Sequence, residues 1–167
     1  MKTKIMGNLL VAFLGAALAG KGFATPEAMA KVTLFPAGSF EAKTSSVIGT
    51  LKKAGTAYTG NEIKIPVETL KTGISLRDKH LGEKLEAKKF PYIIANNINA
   101  TGDKGKANIQ ISGVTKEVDF ELKDLGNNTA QVIFTLNLPD FKIEGISYKG
   151  VGVEDKTEVT AIVPYEG

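Results

Sequence analysis

The chain of 167 residues contains no cysteine and only one histidine, His80. Without cysteine there is no disulfide, no thiol nucleophile and no lipid anchor on an N-terminal cysteine, so the domain must rest on its packed core. A single histidine cannot build a metal cluster of the usual kind, and Asp78 is too close in sequence to His80 to act as its triad partner. No Gly-x-Ser-x-Gly elbow and no phosphate loop occur. Together these absences argue against catalysis, and no metal or cofactor is expected.

Long apolar runs are also scarce. The longest, from Ile5 to Ala19, is about 15 residues, short of the roughly 20 that a spanning helix needs. It follows Lys2 and Lys4 and ends among small residues, the layout of a secretory signal. Residues 1–24 are therefore expected to be a leader. Gly22-Phe23-Ala24 offers a cleavage site before Thr25, and Ala17-Leu18-Ala19 an earlier one. Residues 25–167 would form one domain, periplasmic or otherwise exported after signal cleavage. The leader carries Lys2, Lys4 and Lys21 and no acid, so 18 basic and 18 acidic residues remain. That leaves no basic footprint for nucleic acid.

What the sequence does have is a period of two. Val32 and Leu34, Phe40 and Ala42, and Ile63, Ile65 and Val67 alternate with polar residues. The same holds for Ala107, Ile109 and Ile111, for Val118, Phe120 and Leu122, and for Ala130, Val132, Phe134 and Leu136. Val159, Ala161 and Val163 close the series on one face. Gly102-Asp103-Lys104-Gly105 and Gly126-Asn127-Asn128 are strong turn signals. About eight or nine half-buried strands with short turns predict an antiparallel sheet closed as a barrel or folded as a sandwich. A membrane barrel would need strands of about 9–11 residues and aromatic girdles. The strands read as about 5–7 residues, and aromatics are 7% of the chain.

One segment departs from this pattern. Thr69 to Pro91 holds the only arginine, Arg77, three residues before His80, and Ser75–Glu86 reads as a short helix. Ser75 as N-cap with Asp78 three residues on resembles a capping box, and Leu81 and Leu85 form an apolar face. Arg77, Lys79 and His80 are candidates for meeting a polar head group at a barrel rim, Arg77 being suited to bidentate contact. Alternatively, Arg77 and Asp78 pair and brace the helix.

The run Leu76-Arg77-Asp78-Lys79-His80-Leu81 followed by Lys89-Phe90-Pro91 resembles the central motif of the YceI-like proteins. Phe40-Glu41-Ala42-Lys43 with Gly49-Thr50, Ile65-Pro66-Val67 through Gly73, Ser112 to Val118 and Asp155 to Val163 extend the likeness across Val32 to Val163. The segment between His80 and Pro91 looks about two residues shorter than in the family, with Leu85 where aromatics are common. The N-terminal strand lacks the usual Trp and His-Ser. The resemblance implies an all-β fold, an antiparallel eight-stranded lipocalin-like barrel with one short helical segment. It also implies a long-chain isoprenoid or fatty-acid-derived ligand held inside.

For such a guest the physics is simple. Burying a tail of ten carbons gains about 8 kcal/mol, at roughly 0.8 kcal/mol per CH2, whereas a charged head cannot follow unpaired. The tail-lining candidates are Phe40, Ala42, Leu51, Ile63, Ile65, Val67, Ile109, Ile111, Val118, Phe120, Leu122, Val132, Phe134 and Leu136. Pattern alone favours a solid core built from these residues, as in other small barrels; the resemblance favours a ligand. Nothing in the sequence decides between a monomer and a homodimer.

Overall fold

The computed structural model describes residues 24–167; most of the expected leader lies outside them. Ten strands form one sheet. The first three are β1 (Glu27–Phe35), β2 (Ser39–Thr44) and β3 (Leu51–Ala54). β4 (Ala57–Pro66) leads through a tight helical turn, Val67–Thr69, to the helix α1 (Ser75–Lys84). Four long strands follow: β5 (Tyr92–Thr101), β6 (Lys104–Ile111), β7 (Val114–Gly126) and β8 (Thr129–Asn137). A second helical turn, Leu138–Phe141, and the short β9 (Ser147–Tyr148) precede the last strand, β10 (Val151–Glu166).

β3 to β8 run in consecutive antiparallel pairs from β3 through β4, β5, β6 and β7. β10 closes the circle, antiparallel to β8 along nine residue pairs and parallel to β3 through Tyr165 and Glu166. Seven strands thus form a closed lipocalin-like barrel, one fewer than expected. The difference lies in β1 and β2: β1 pairs with β10 along the edge that β3 takes at Tyr165 and Glu166, and β2 follows on β1. The seam between β2 and β4 is joined by single bridges, Lys43 to Lys71 and Ile48 to Lys64, and by the hydroxyls of Thr44 and Thr69 at 2.7 Å.

Inward and outward residues alternate as the sequence implied, except in β5. There Ile93 and Ala95 point inward, then Asn97 adopts a left-handed conformation (φ 50°) and the pairing with β6 slips between Asn96 and Asn99. This bulge shifts the inward set to Ile98 and Ala100.

The two ends of the barrel differ. At one, Tyr58 and Tyr165 meet edge to face with centroids 5.5 Å apart. Both hydroxyls donate to Asp124, at 2.7 and 2.9 Å, and Lys53 Nζ donates to it at 2.6 Å. Leu51 and Leu122 are buried in the same core. This end is closed. At the other end lie the β1–β2 and β9–β10 hairpins, α1, the β6–β7 turn and the loop after β8.

The helix is held across that second end. Leu81 and Leu85 pack on the core, the face expected from their spacing. The Ser112 hydroxyl donates to the Leu85 carbonyl at 2.9 Å, and Lys84 Nζ to the Glu144 carbonyl at 2.7 Å. Phe90 lies against Gly113, where a β-carbon would come within 2.7 Å of the ring and φ is +78°. Only glycine suits that turn.

Candidate ligand-binding cavity

Within the barrel is a cavity of about 160 Å3, and the non-atom space between its walls, open mouth included, is about 1030 Å3. All 22 side chains lining it are apolar. Water entering such a space finds no hydrogen-bond partner, so it is suited to an apolar guest; an apolar cavity of about 150 Å3 holds a benzene-sized one. Small side chains create much of the room. Ala28 and Ala161 face each other across β1 and β10, and Ala95 and Ala107 stand among larger neighbours. Phe120 lies over Gly105, where a β-carbon would collide with the ring.

Of the residues expected to line a tail, the cavity brings together Leu51, Ile63, Ile65, Ile109, Ile111, Val118, Phe120, Val132, Phe134 and Leu136. Four stand elsewhere. Leu122 is buried but is not part of the lining, and Val67 is covered at the helical turn after β4. Phe40 and Ala42 belong to β2, the outermost strand. Phe40 meets the helix and Thr44 meets Thr69; Ala42 between them is paired with the cavity-lining Ala30 and shares its inward face, but lies beyond the lining.

The sequence pattern did not single out Met29, Val47, Leu70, Ile93, Ala95, Ile98 or Val159 as lining residues. The bulge at Asn97 hid those of β5. Val159 was placed on the correct face of its strand, but only closure of the barrel shows what that face meets. Leu70 lines both the cavity and a shallow outer recess with Glu68, Lys71, Ser75, Asp78 and Lys79. Its side chain is the partition between them.

Polarity returns just beyond the lining. The inward row of β10 runs Val163, Ala161, Val159 and then Thr157. Thr157 Oγ1 is the buried side-chain polar atom without a hydrogen-bond partner among the described residues. It lies on the side of Val159 toward the helix-covered end, opposite Leu136 and Val32.

The proposed head-group residues do not converge. Arg77 places its guanidinium carbon 4.3 Å from the centre of the Phe40 ring. Lys79 reaches Glu83 at 3.9 Å, and His80 is exposed. The Arg77–Asp78 ion pair weighed from the sequence is not formed among the described residues. Asp78 instead accepts the Thr72 hydroxyl at 2.6 Å and the Thr72 amide at 2.7 Å. These bonds, the hydroxyl first, hold its carboxyl below the usual carboxylate range. Ser75 is not the N-cap. Ile74 occupies that position without a side-chain cap, and Ser75 is the first helical residue. The cap register lies one residue earlier than expected: the Asp78 amide already bonds the Ile74 carbonyl at 3.0 Å, while the Asp78 carboxylate is held by Thr72.

The Arg77–Phe40 stack is expected to contribute about 1 kcal/mol, as exposed cation–π pairs do. Urea unfolding of Arg77→Ala, Phe40→Ala and the double variant should return that coupling. Strictly additive losses would mean the stack contributes nothing.

A family model for the YceI-like domain matches residues 25–163. The chain belongs to the YceI-like family. Its structure is similar to that of BcnA from Burkholderia cenocepacia, with TM-score 0.63 and 16% identity over 82% of this chain and 94% of that one. A polyisoprenoid-binding domain from Saccharophagus degradans gives TM-score 0.60 and 11% identity, over 83% and 92%. A YceI protein from Campylobacter jejuni gives 0.52 and 17%, over 97% and 98%. At these identities the likeness is one of fold. No curated protein matches the sequence. In the YceI-like barrel described here, the family motif around Arg77 builds the cover of the open end.

Proposed function

We propose that this barrel binds one long-chain amphiphile, a polyisoprenoid or a fatty-acid-derived chain, for transport, storage or sequestration. The observation that carries the reading is the cavity lined wholly by apolar side chains. A filled core would leave no such space, and a polar substrate would find no partner in it. Membership of the YceI-like family and the likeness to a polyisoprenoid-binding domain support the same ligand class. The tail would lie along Ile109, Phe120, Phe134 and Ala161, with its head toward Thr157 and the helix-covered end. Nothing in the cavity resembles an acid–base pair or a nucleophile, so we read the protein as a binder and not an enzyme. The leader-like residues 1–24 favour an exported, periplasmic setting.

The test is direct. The protein is purified from its exported fraction without detergent, extracted with organic solvent, and the extract is weighed by mass spectrometry. A stoichiometric long-chain compound is expected. Protein that yields none, and that also takes up no added isoprenoid, would sink the reading in favour of a structural barrel.

A further inference from the structure

Among the described residues, seven large apolar side chains are exposed, and six of them lie at the helix-covered end. Phe35, at the end of β1, pairs with Gly152 and is 67% exposed. Tyr148 and Val151 face each other in the β9–β10 hairpin, with Tyr148 66% exposed. Ile74 and Leu76 stand at the start of α1, and Tyr92 at the start of β5. The turns at the closed end, Ala54–Thr56, Gly102–Asp103 and Gly126–Asn128, expose no large apolar residue. This distribution is not that of scattered surface residues.

Charge follows the same division. The segments at this end, residues 35–39, 67–91, 112–113 and 138–152, hold eight Lys and Arg against six acids. The rest of residues 24–167 holds ten against twelve. Lys79 with Glu83 is the one ion pair within these segments among the described residues, which leaves the other seven basic residues, Lys71, Lys88, Lys142 and Lys149 among them, outside any such pair. Three lysines lie by aromatic rings here, Lys149 at 5.2 Å from the centre of Tyr148, Lys89 at 5.0 Å from that of Phe90 and Lys64 at 5.7 Å from that of Tyr92. Aromatic tips flanked by lysines are the side chains that settle at a membrane–water interface, ring inward and ammonium toward the phosphates.

We propose that this end of the barrel docks on the surface of an anionic lipid bilayer, with Phe35, Leu76, Tyr148 and Val151 entering the interface. The surrounding lysines meet the phosphates. The inference rests on the amphiphile reading for its purpose, because docking would let a long tail pass between bilayer and cavity without crossing water. Its geometry is independent of that reading.

Co-sedimentation of the purified protein with phosphatidylglycerol–phosphatidylethanolamine vesicles, compared with phosphatidylcholine vesicles, tests it. Binding should require the anionic lipid and weaken in high salt. Phe35→Ser with Tyr148→Ser should lower the partition coefficient by about tenfold or more. Lys88→Glu with Lys149→Glu should lower it by about fivefold or more per residue. The same charge change at the other end, Lys52→Glu with Lys123→Glu, should leave it unaltered. Residues 1–23 are common to all these variants, so the comparison isolates the two ends. Equal binding by every variant, or equal loss from both charge pairs, overturns the proposal. So does a dimer in sizing experiments that the Phe35 and Tyr148 changes dissociate, which would make a second copy the occupant. Uptake of a pyrene-labelled fatty acid in vesicle-free solution is measured in parallel. Uptake without vesicle binding overturns the docking and leaves the cavity reading standing. End-specific vesicle binding without uptake supports the docking and counts against the cavity.

Discussion

Replacing Asp124 by Ala is expected to destabilise the domain by about 2 kcal/mol, because the buried Tyr58 hydroxyl then has no acceptor. Domains of this size are stable by only about 5–15 kcal/mol, so the change should lower the urea midpoint by about 1 M. Asp124 joins parts of the chain that are distant in sequence. Its carboxylate also takes the Tyr165 hydroxyl from β10, Lys53 Nζ from β3 and the Gly126 amide at 2.8 Å. The parallel contact between β10 and β3 spans only Tyr165 and Glu166, so this carboxylate reinforces the shortest pairing in the barrel wall. The Lys53 ammonium first, then the Tyr58 hydroxyl and the Gly126 amide, hold the Asp124 carboxyl well below the usual carboxylate range. A depressed folded value means that its stabilisation is present above the unfolded pKa of about 3.9 and is lost as pH falls through the folded value. Lys53 is shifted upward, chiefly by its bond to Asp124. Its contribution is present below about pH 10 and is lost only as pH rises through its folded value. Stability followed by thermal melting should therefore fall below about pH 4 in the native protein. Asp124→Asn should show a shallower acid decline. An equally steep decline in that variant would place the acid-sensitive group elsewhere.

Ala161→Leu should cut affinity for a long-chain guest about fiftyfold. Ala161 lines the cavity on β10, between Ala28 of β1 and Val132 of β8. Leucine there adds three carbons to a space the tail would occupy, and displacing as many methylenes loses about 2.4 kcal/mol of transfer energy. The accompanying change in stability distinguishes a ligand cavity from a filled core by its sign. Leucine filling the cavity should make the empty protein more stable, by up to about 2 kcal/mol. In a filled core the same substitution would overpack and cost about 1–3 kcal/mol. Calorimetric melting of delipidated protein and titration with a pyrene-labelled fatty acid give the two quantities. A destabilised variant with unchanged uptake would refute the placement of the tail.

Much of this barrel can be read from local patterns, for a clear reason. A strand side chain has two faces to choose between, so alternation along Ala107–Ile111 or Val118–Leu122 already says which residues point inward. The same argument placed Leu81 and Leu85 on one helical face. It gives no single phase for β5, where one residue changes the count: Asn97 adds a bulge, and Ile93 and Ala95 give way to Ile98 and Ala100. It failed at the helix start, where Ile74 and not Ser75 is the N-cap and Asp78 is held by Thr72.

Inward direction is a property of a strand, but what lies inward depends on strands far apart in the chain. The pattern of residues 32–163, with the motif around Arg77, was enough to indicate an antiparallel barrel, one helix and an apolar interior. Only the tertiary structure decided that β2 stands outside the closed wall and takes Phe40 and Ala42 with it, or that Arg77 stacks on Phe40. It also decided that Ala28, Ala95, Ala107 and Ala161 leave a void, and that Phe35, Leu76 and Tyr148 gather at one end. Each of these depends on which distant segments become neighbours, and that is set by how the sheet closes, not by the order of residues along a strand.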